Sequence, residues 1–102
     1  MQNEQFKQDL IERRGWMCQY CHIRPATDLH HALIGRMRGH PERNVEENYM
    51  CACSECHVEK VYLDTQEVKT WFWNIQCERY GHDHMVQWIK SLPLKVKPAL
   101  YQ

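Results

Sequence analysis

Apolar residues recur with the 3.6-residue period of an α-helix near the start of the chain. Phe6, Leu10 and Ile11 fall near one face of a helix predicted over residues 3–14. Gly15 follows as a stop signal, because glycine accepts the left-handed backbone that commonly ends a helix. The chain is therefore predicted to begin with a short amphipathic helix.

Two further helical patterns occupy the last third of the chain. Asp64 or Thr65 can cap the first helix, and Gly81 can end it. The second helix runs up to Pro93, and residues 93–102 are predicted to form an extended tail. The apolar stripes of the two helices are Val68, Trp71, Phe72 and Ile75, and Met85, Trp88, Ile89 and Leu92. We expect both stripes to form core, because the middle of the chain offers few apolar residues to pack on.

The middle of the chain carries shorter and mixed patterns. Residues 27–33 and 49–52 predict two short strands, and a helix is expected from about residue 55 to about residue 63. Between the strands, residues 34–47 are polar and contain glycine, proline and arginine, which indicates a loop that covers or approaches a ligand. The predicted order in the middle is strand, loop, strand and helix.

Two Cys-x2-Cys pairs frame this middle segment. The pairs are Cys18 with Cys21, and Cys53 with Cys56. Two intervening residues let the backbone turn so that both sulfurs of a pair aim at one point, as in a tetrahedral zinc site. Two redox pairs that cycle between thiol and disulfide are the alternative, but pairs at this separation favour structural zinc.

Length and composition bound the class of protein. A chain of 102 residues is long enough for one domain with a modest core, so a structural metal would add stability that packing alone supplies poorly. The start of the chain has no stretch like a signal peptide, and no apolar run could span a membrane. We therefore expect a cytoplasmic protein with no membrane partner and with reduced thiols. Cys51 and Cys77 are expected to be buried thiols, although Cys51 could replace a zinc ligand.

Charge is balanced overall but not along the chain. Thirteen basic and thirteen acidic residues give a formal net charge of zero. Residues 13–43 nevertheless contain only Asp28 and Glu42 as acidic residues, against the arginines Arg13, Arg14, Arg24, Arg36, Arg38 and Arg43. Arginine forks match phosphate oxygens, so this cluster suits a phosphodiester backbone. A solvated loop with incidental charge is the simpler alternative.

Four polar positions complete the motif. His30 and His31 are adjacent, Asn48 lies five residues before Cys53, and His57 directly follows Cys56. Together with the two cysteine pairs, these positions resemble the HNH family of nucleases, whose ββα-metal core often carries a four-cysteine zinc brace. The resemblance covers residues 18–57.

The resemblance implies a small α+β fold. Its ββα-metal core, also called an HNH or His-Me finger, would span about residues 16–63, braced by zinc and flanked by N-terminal and C-terminal helices. A helical extension over residues 64–92 and the tail would complete a single domain over residues 1–102.

The resemblance also implies roles for the polar residues. His31 would be the general base, His30 and His57 would hold a catalytic magnesium, manganese or other divalent ion, and Asn48 would fix the loop and strand. The loop arginines would contact DNA; these are Arg36, Arg38 and Arg43. Asn44 competes with Asn48 for the role of the family's asparagine.

The histidine pair raises a geometric question. Adjacent residues on a regular strand point to opposite faces, so His30 and His31 face one phosphate only if the strand is twisted, bulged or ending there. Asp28 shares the face of His30 in a flat strand and is a substitute metal ligand. Which of the two histidines acts as the base therefore stays open.

The resemblance thus implies a metal-dependent DNA endonuclease that uses one catalytic ion. Compact nucleases of this kind are similar to those of phages and prophages, which act in recombination, packaging or DNA processing, so proteins of those processes are candidate partners. Branched or single-stranded DNA and ordinary duplex are all candidate substrates, and cutting both strands together would imply a homodimer. The alternative from another class is a zinc module without catalytic activity that binds nucleic acid or protein.

Overall fold

The computed structural model describes residues 4–34, 44–59 and 65–92. In chain order its elements are α1 (Glu4–Arg13), β1 (Asp28–His31), β2 (Tyr49–Ala52), α2 (Ser54–Glu59), α3 (Gln66–Tyr80) and α4 (His82–Ser91). A short 3-10 turn, Glu46–Asn48, leads directly into β2. This arrangement confirms the predicted mixed α+β class. Most of the predicted loop, the end of the predicted helix after α2 and the predicted tail lie outside the described residues.

The end of α1 follows from Gly15. The backbone N–H of Trp16 donates to Ile11 at 2.9 Å, and that of Gly15 donates to Glu12 at 3.1 Å. This pair of bonds is the Schellman motif, and it requires the left-handed backbone that Gly15 adopts at φ 94°. The predicted stop is confirmed, and the chain turns from α1 into the first cysteine pair.

The sheet consists of β1 and β2, which pair antiparallel with His30 opposite Met50 and His31 opposite Tyr49. All four residues of β2 are buried, because helices cover both of its faces. Met50 and Ala52 belong to one core with α3 and α4, whereas Tyr49 and Cys51 pack with α1. Because residues opposite each other in a sheet share a face, His30 lies on the α3 and α4 face and His31 on the α1 face.

The two C-terminal helices cover the Met50 face of the sheet. The side chain of Thr65 caps α3 by accepting from the backbone N–H of Val68 at 3.3 Å. Gly81 separates α3 from α4 with φ 98°. Phe72 and Met85 are fully buried, and the remaining members of both predicted stripes are buried in this core or pack against it. The prediction that the stripes form core is confirmed.

A polar network joins α1, the 3-10 turn and α3. The guanidinium of Arg14 donates to the carbonyls of Tyr49 at 2.8 Å and Glu46 at 2.9 Å, and to the hydroxyl of Tyr80 at 2.9 Å. Gln76, which is fully buried on α3, donates to the carbonyl of Glu47 at 3.0 Å. These bonds hold the turn that feeds β2. Nothing in the sequence pattern predicted that Gln76 would be buried.

Glu46 gives this network a pH dependence. Burial alone would raise the pKa of Glu46, but hydrogen bonds from the Tyr80 hydroxyl at 2.6 Å and from Arg13 at 3.2 Å lower it below the ordinary value. A carboxylate with a lowered pKa in the folded state stabilises the protein above its unfolded pKa and loses that contribution as the pH falls through its folded pKa.

We therefore expect Glu46→Gln to lower the free energy of unfolding by about 1 kcal/mol at pH 7, the value typical of a partly buried hydrogen bond. The deficit should shrink as the pH falls below about 4.5, where the unfolded-state carboxyl also takes up its proton. Urea unfolding of both proteins, from pH 7 to the lowest pH at which both stay folded, measures this difference. Glu78→Gln on the exposed side of α3 is the matched control, and a pH-independent deficit would contradict the assignment.

Candidate metal centre and histidine face

The four paired cysteines converge on one point. The sulfur atoms of Cys18, Cys21, Cys53 and Cys56 all lie within 4.8 Å of one another. A tetrahedral zinc with bonds of about 2.3 Å places its sulfurs about 3.8 Å apart. The sulfurs of Cys21 and Cys53, one from each pair, are 3.9 Å apart. The donor set and its size therefore fit a structural zinc.

Both cysteine pairs use the same backbone turn. The N–H of Cys21 donates to the sulfur of Cys18 at 3.4 Å, and the N–H of Cys56 likewise donates to the sulfur of Cys53. N–H groups pointing at sulfur stabilise the thiolate, which is the form that binds a metal. The two halves of the site are therefore alike, although one follows α1 and the other begins α2.

Hydrogen bonds prepare two of the sulfurs for metal binding. The backbone N–H groups of Arg24 and Ile23 lower the pKa of Cys21 to about 6. Burial would raise the pKa of Cys53, but the N–H of Cys56 and the Arg24 guanidinium, 3.4 Å from its sulfur, lower it overall. Burial and the neighbouring sulfurs raise the pKa of Cys56 to about 12. Binding of zinc would release the proton of the Cys56 thiol.

The other two cysteines lie outside this cluster. Cys51 is fully buried among residues of α1 and β2, and burial raises the pKa of its thiol. Cys77 is partly buried on α3 and packs against the other core. The prediction of a buried thiol is confirmed for Cys51, and Cys77 is more exposed than predicted. Cys51 is not a member of the ligand group.

A histidine cluster lies where α2 meets β1. The Nδ1 of His57 and the Oδ2 of Asp28 are 3.0 Å apart, and the rings of His57 and His30 meet edge to face with centroids 5.2 Å apart. Asp28 and His30 are two apart on β1 and therefore share a face. His57 therefore faces the side of β1 that carries Asp28 and His30.

The bond through Nδ1 orients the ring of His57. It leaves Nε2 as the nitrogen through which His57 would bind an ion, an arrangement in which a carboxylate fixes the tautomer of a metal-binding histidine. Asp28 is therefore placed as the partner of His57, although the sequence offered it only as a substitute ligand. Within the described residues, Asp28, His30 and His57 do not bring three ligand atoms within 4.8 Å of one another.

His31 lies on the opposite face of the sheet. Its Nε2 donates to the Oδ1 of Asn44 at 2.9 Å, and its ring packs on Tyr49 with centroids 4.9 Å apart. The register of β1 against β2 is continuous, without the bulge that would turn both histidines to one side. The structure thus brings together His30 and His57 but separates His31 from them by the strand.

The surroundings of Asn44 contain both acidic and basic side chains. A cavity of about 440 Å³ opens beside it and is also lined by Phe6, Val45, Glu46, Glu47, Tyr80 and His84. Glu47 contacts His84 at 2.7 Å across this cavity. Glu46 is in turn paired with Arg13 at 3.2 Å, so each carboxylate of this cavity has a basic side chain beside it.

Asn48 ties the chain after β1 to the start of β2. Its side chain is fully buried. Its Oδ1 accepts from the N–H groups of Leu33 at 3.0 Å and Ile34 at 2.8 Å, and its Nδ2 donates to the carbonyl of Ile34 at 2.9 Å. The two asparagines thus have separate partners. The side chain of Asn48 forms hydrogen bonds with backbone groups, and that of Asn44 forms one with the ring of His31.

We expect Asn48→Ala to lower the free energy of unfolding by about 3 kcal/mol, because it removes three buried hydrogen bonds and leaves backbone groups without partners. Asn44→Ala, at a partly exposed position, should cost less than about 1.5 kcal/mol. Urea titrations of the two variants and of the wild type give both values. Equal losses would contradict the distinction between the two asparagines.

The loop arginines predicted to contact DNA, Arg36, Arg38 and Arg43, lie outside the described residues.

Comparison of the chain with protein-family models, with curated proteins and with solved structures finds no match. In the described ranges, no helix is both long enough and apolar enough to cross a bilayer. The chemistry of the site is therefore inferred from its own residues.

Proposed function

We propose that this protein is a small metal-dependent DNA endonuclease of the HNH type. The observation that carries the proposal is the orientation of His57 by Asp28, edge to face with His30, at the start of a helix that begins beside a zinc ligand. The order of strand, strand and helix around this cluster is the order that a ββα-metal core would have.

Phosphodiester hydrolysis needs an activated water, a sink for negative charge and help for the departing oxygen. A divalent ion bound at the histidine face would polarise a phosphate oxygen and stabilise the leaving group. His57 and His30 offer imidazole ligands for it, and Asp28 holds His57 in the required tautomer. In this proposal the catalytic ion is magnesium, manganese or another divalent ion.

A histidine also supplies the base, since its ordinary pKa near 6.5 lets it accept a proton at neutral pH. In the proposal His31 has this role, as in the family that the motif resembles. The bond from its Nε2 to Asn44 would fix the tautomer in which Nδ1 accepts the proton. Because His31 and His30 lie on opposite faces, the substrate would have to reach the end of β1, where His31 is the last residue.

The zinc would serve this site indirectly. Cys53 and Cys56 flank the first turn of α2, and His57 is the next residue. Metal at the cysteines would therefore fix α2 against the knuckle at residues 18–24 and so fix the distance between His57 and β1. The brace thus provides rigidity and takes no part in chemistry.

The wider setting follows the same proposal. DNA would be the partner, contacted by Arg36, Arg38 and Arg43, and the protein would act in the cytoplasm in recombination, packaging or DNA processing of a phage or prophage. A single active site would nick one strand at each visit, so a double-strand cut would need a homodimer.

Cleavage assays test the proposal directly. Supercoiled plasmid, single-stranded DNA and a branched junction are incubated with zinc-loaded protein in magnesium or manganese. Cleavage that starts on adding the ion and stops with a chelator that leaves the zinc content unchanged is the expected result. No cleavage of any of the three substrates, by protein that is folded and zinc-loaded, would overturn the proposal.

The rival function is a zinc module that binds nucleic acid or protein. It is favoured by one observation, namely that the cysteines are the single group of three or more close metal-binding side chains in the part of the chain that the structure describes. Zinc content and DNA affinity without cleavage would support it.

A thiol redox protein would instead be isolated without metal and would form disulfides within the two pairs.

A further inference from the structure

A lysine is held where α3 passes the end of β1. The ammonium nitrogen of Lys69 lies 3.5 Å from the carbonyl oxygen of Ala32, the residue that follows His31. The N–H of Ala32 donates to the carbonyl of Asn48 at 2.9 Å, so the antiparallel pairing continues one residue past His31. Lys69 therefore lies at the end of β1, which the substrate of the proposed nuclease would have to reach.

Lys69 approaches the sheet on the face that carries His30. Ala32 is two residues after His30 on the strand, so the two share a face and their backbones are about 6.6 Å apart. Met50, which is opposite His30, belongs with Ala32 to the core that contains Phe72. Phe72 is three residues after Lys69 and lies on the same side of α3. The lysine thus reaches the strand from the side on which His30 meets His57.

The positive charge of Lys69 has no acidic partner. Lys69 is partly buried, yet no carboxylate within the described residues forms an ion pair with it. Glu67, two residues earlier, lies on another side of α3. Lys7, in contrast, pairs with Glu4 at 3.5 Å. Lysine is rarely buried without a partner, so the charge of Lys69 is left for a group outside the chain.

The fold itself needs less than a lysine at this position. An ammonium group has three N–H donors, and the carbonyl of Ala32 takes one of them. A neutral donor would also satisfy that carbonyl. Two donors and the full charge therefore remain, which is what binds an anion with several oxygen acceptors.

The anion that fits this position is a phosphate of a DNA strand. DNA carries one negative charge for each nucleotide, and proteins neutralise these charges with lysine and arginine. In the proposed function, the ion held by His30 and His57 takes the phosphate that is cut. A cation placed beyond His31 would meet a neighbouring phosphate of the same strand.

We infer that Lys69 binds a backbone phosphate of the DNA strand at the end of β1, next to the phosphate that is cut. The inference rests on the proposed function and deepens it, because it gives α3 a part in holding the substrate. The contact with a phosphate that does not react is equal in the ground state and the transition state. Lys69 therefore serves substrate binding and not the chemical step.

Substitutions of Lys69 separate its charge from its packing. Lys69→Gln and Lys69→Met both remove the charge, and the second keeps an apolar stem. Lys69→Arg keeps the charge and the donors. Lys90→Gln removes the same charge from an exposed position near the end of α4 and is the matched control. Zinc content and thermal unfolding establish which variants are folded, and Lys69→Met replaces Lys69→Gln if the latter is not.

Binding to a labelled short DNA duplex is measured by fluorescence anisotropy over a range of salt concentrations, without added divalent ion, so that no strand is cut. For the neutral variants of Lys69, the slope of log affinity against log salt concentration should be less steep by about 0.9, the value for one lost phosphate contact. Their affinity at low salt should fall about tenfold. Lys69→Arg and Lys90→Gln should keep the wild-type slope and an affinity within about threefold.

Cleavage kinetics with magnesium or manganese give the second readout. Lys69→Gln should raise KM about tenfold and leave kcat within about threefold of the wild-type value, because the lost contact is made equally in the ground state and the transition state. A residue that only supports the carbonyl of Ala32 would change neither KM nor the salt slope in a folded variant.

The other outcomes are equally informative. An unchanged slope in folded neutral variants would reduce Lys69 to a structural role and overturn the inference. Equal changes in Lys69→Gln and Lys90→Gln would show an effect of net charge alone and overturn it too. A fall in kcat without a rise in KM would overturn the assignment to a neighbouring phosphate.

The inference and the endonuclease proposal can fail separately. If the variants bind as expected but no protein cuts DNA, the phosphate site stands and the endonuclease proposal fails. If the wild type cuts and the neutral variants bind as it does, only the assignment of Lys69 fails.

Discussion

Replacing Cys56 by serine is expected to reduce the zinc content from about one ion per chain to almost none and to abolish cooperative unfolding. All four ligand cysteines of the cluster belong to or pack against the core that contains Phe72 and Met85. In so small a protein, losing the metal releases the knuckle and the start of α2 from the sheet together. Metal analysis and thermal unfolding followed by circular dichroism measure both effects.

Cys77→Ser is the matched control for this prediction. Cys77 is a partly buried thiol that packs against the same core but lies outside the ligand group. Its variant should keep the zinc of the wild type and unfold cooperatively, with a loss of stability of about 1 kcal/mol. Equal zinc contents in Cys56→Ser and Cys77→Ser would show that the cysteine cluster is not the metal site.

Replacing His57 by alanine is expected to lower the rate of DNA cleavage at least about 100-fold, the usual range for a group that holds a metal or moves a proton. His57 is one-third exposed and contributes little to the core, so zinc content and stability should stay near those of the wild type. The comparison of cleavage rates at matched zinc content separates loss of chemistry from loss of structure.

Two companion variants resolve the roles around His57. Asp28→Asn keeps the shape of the side chain but weakens the orientation of the ring, so it should cleave about 10 to 100-fold more slowly and need more divalent ion. His31→Ala should be as slow as His57→Ala but need no more ion, because in the proposal it removes the base and not a ligand. Full activity of His31→Ala would move the role of base to the other face of β1.

The elements were predictable where local patterns decide them. The strand at residues 49–52 has the predicted bounds, and Gly15, Thr65 and Gly81 end or cap helices as predicted, because each acts through its own backbone or its nearest neighbours. The four cysteines were also predictable, since their spacing encodes the turn. β1 is shorter than predicted, because its hydrogen-bonded partner strand has only four residues.

The long-range polar contacts were not predictable from the sequence. Arg14 was counted in the arginine cluster that suits a phosphodiester backbone, yet it donates to carbonyls more than thirty residues away. Gln76 is buried and likewise donates to a distant carbonyl. The pairing of Asn44 with His31 and of Asp28 with His57 depends on register and on the placement of α2. The spacing of apolar residues along the chain specifies neither the register of the strands nor the placement of α2.

The clasp that Asn48 makes with Leu33 and Ile34 has an evolutionary consequence. It closes the base of the intervening segment at residues 35–43, so the sheet does not depend on the length of that segment. Doubling a closed loop costs only about 0.6 kcal/mol in chain entropy. Segments of other lengths and sequences can therefore be exchanged at this point while the sheet and the cysteine cluster keep their arrangement.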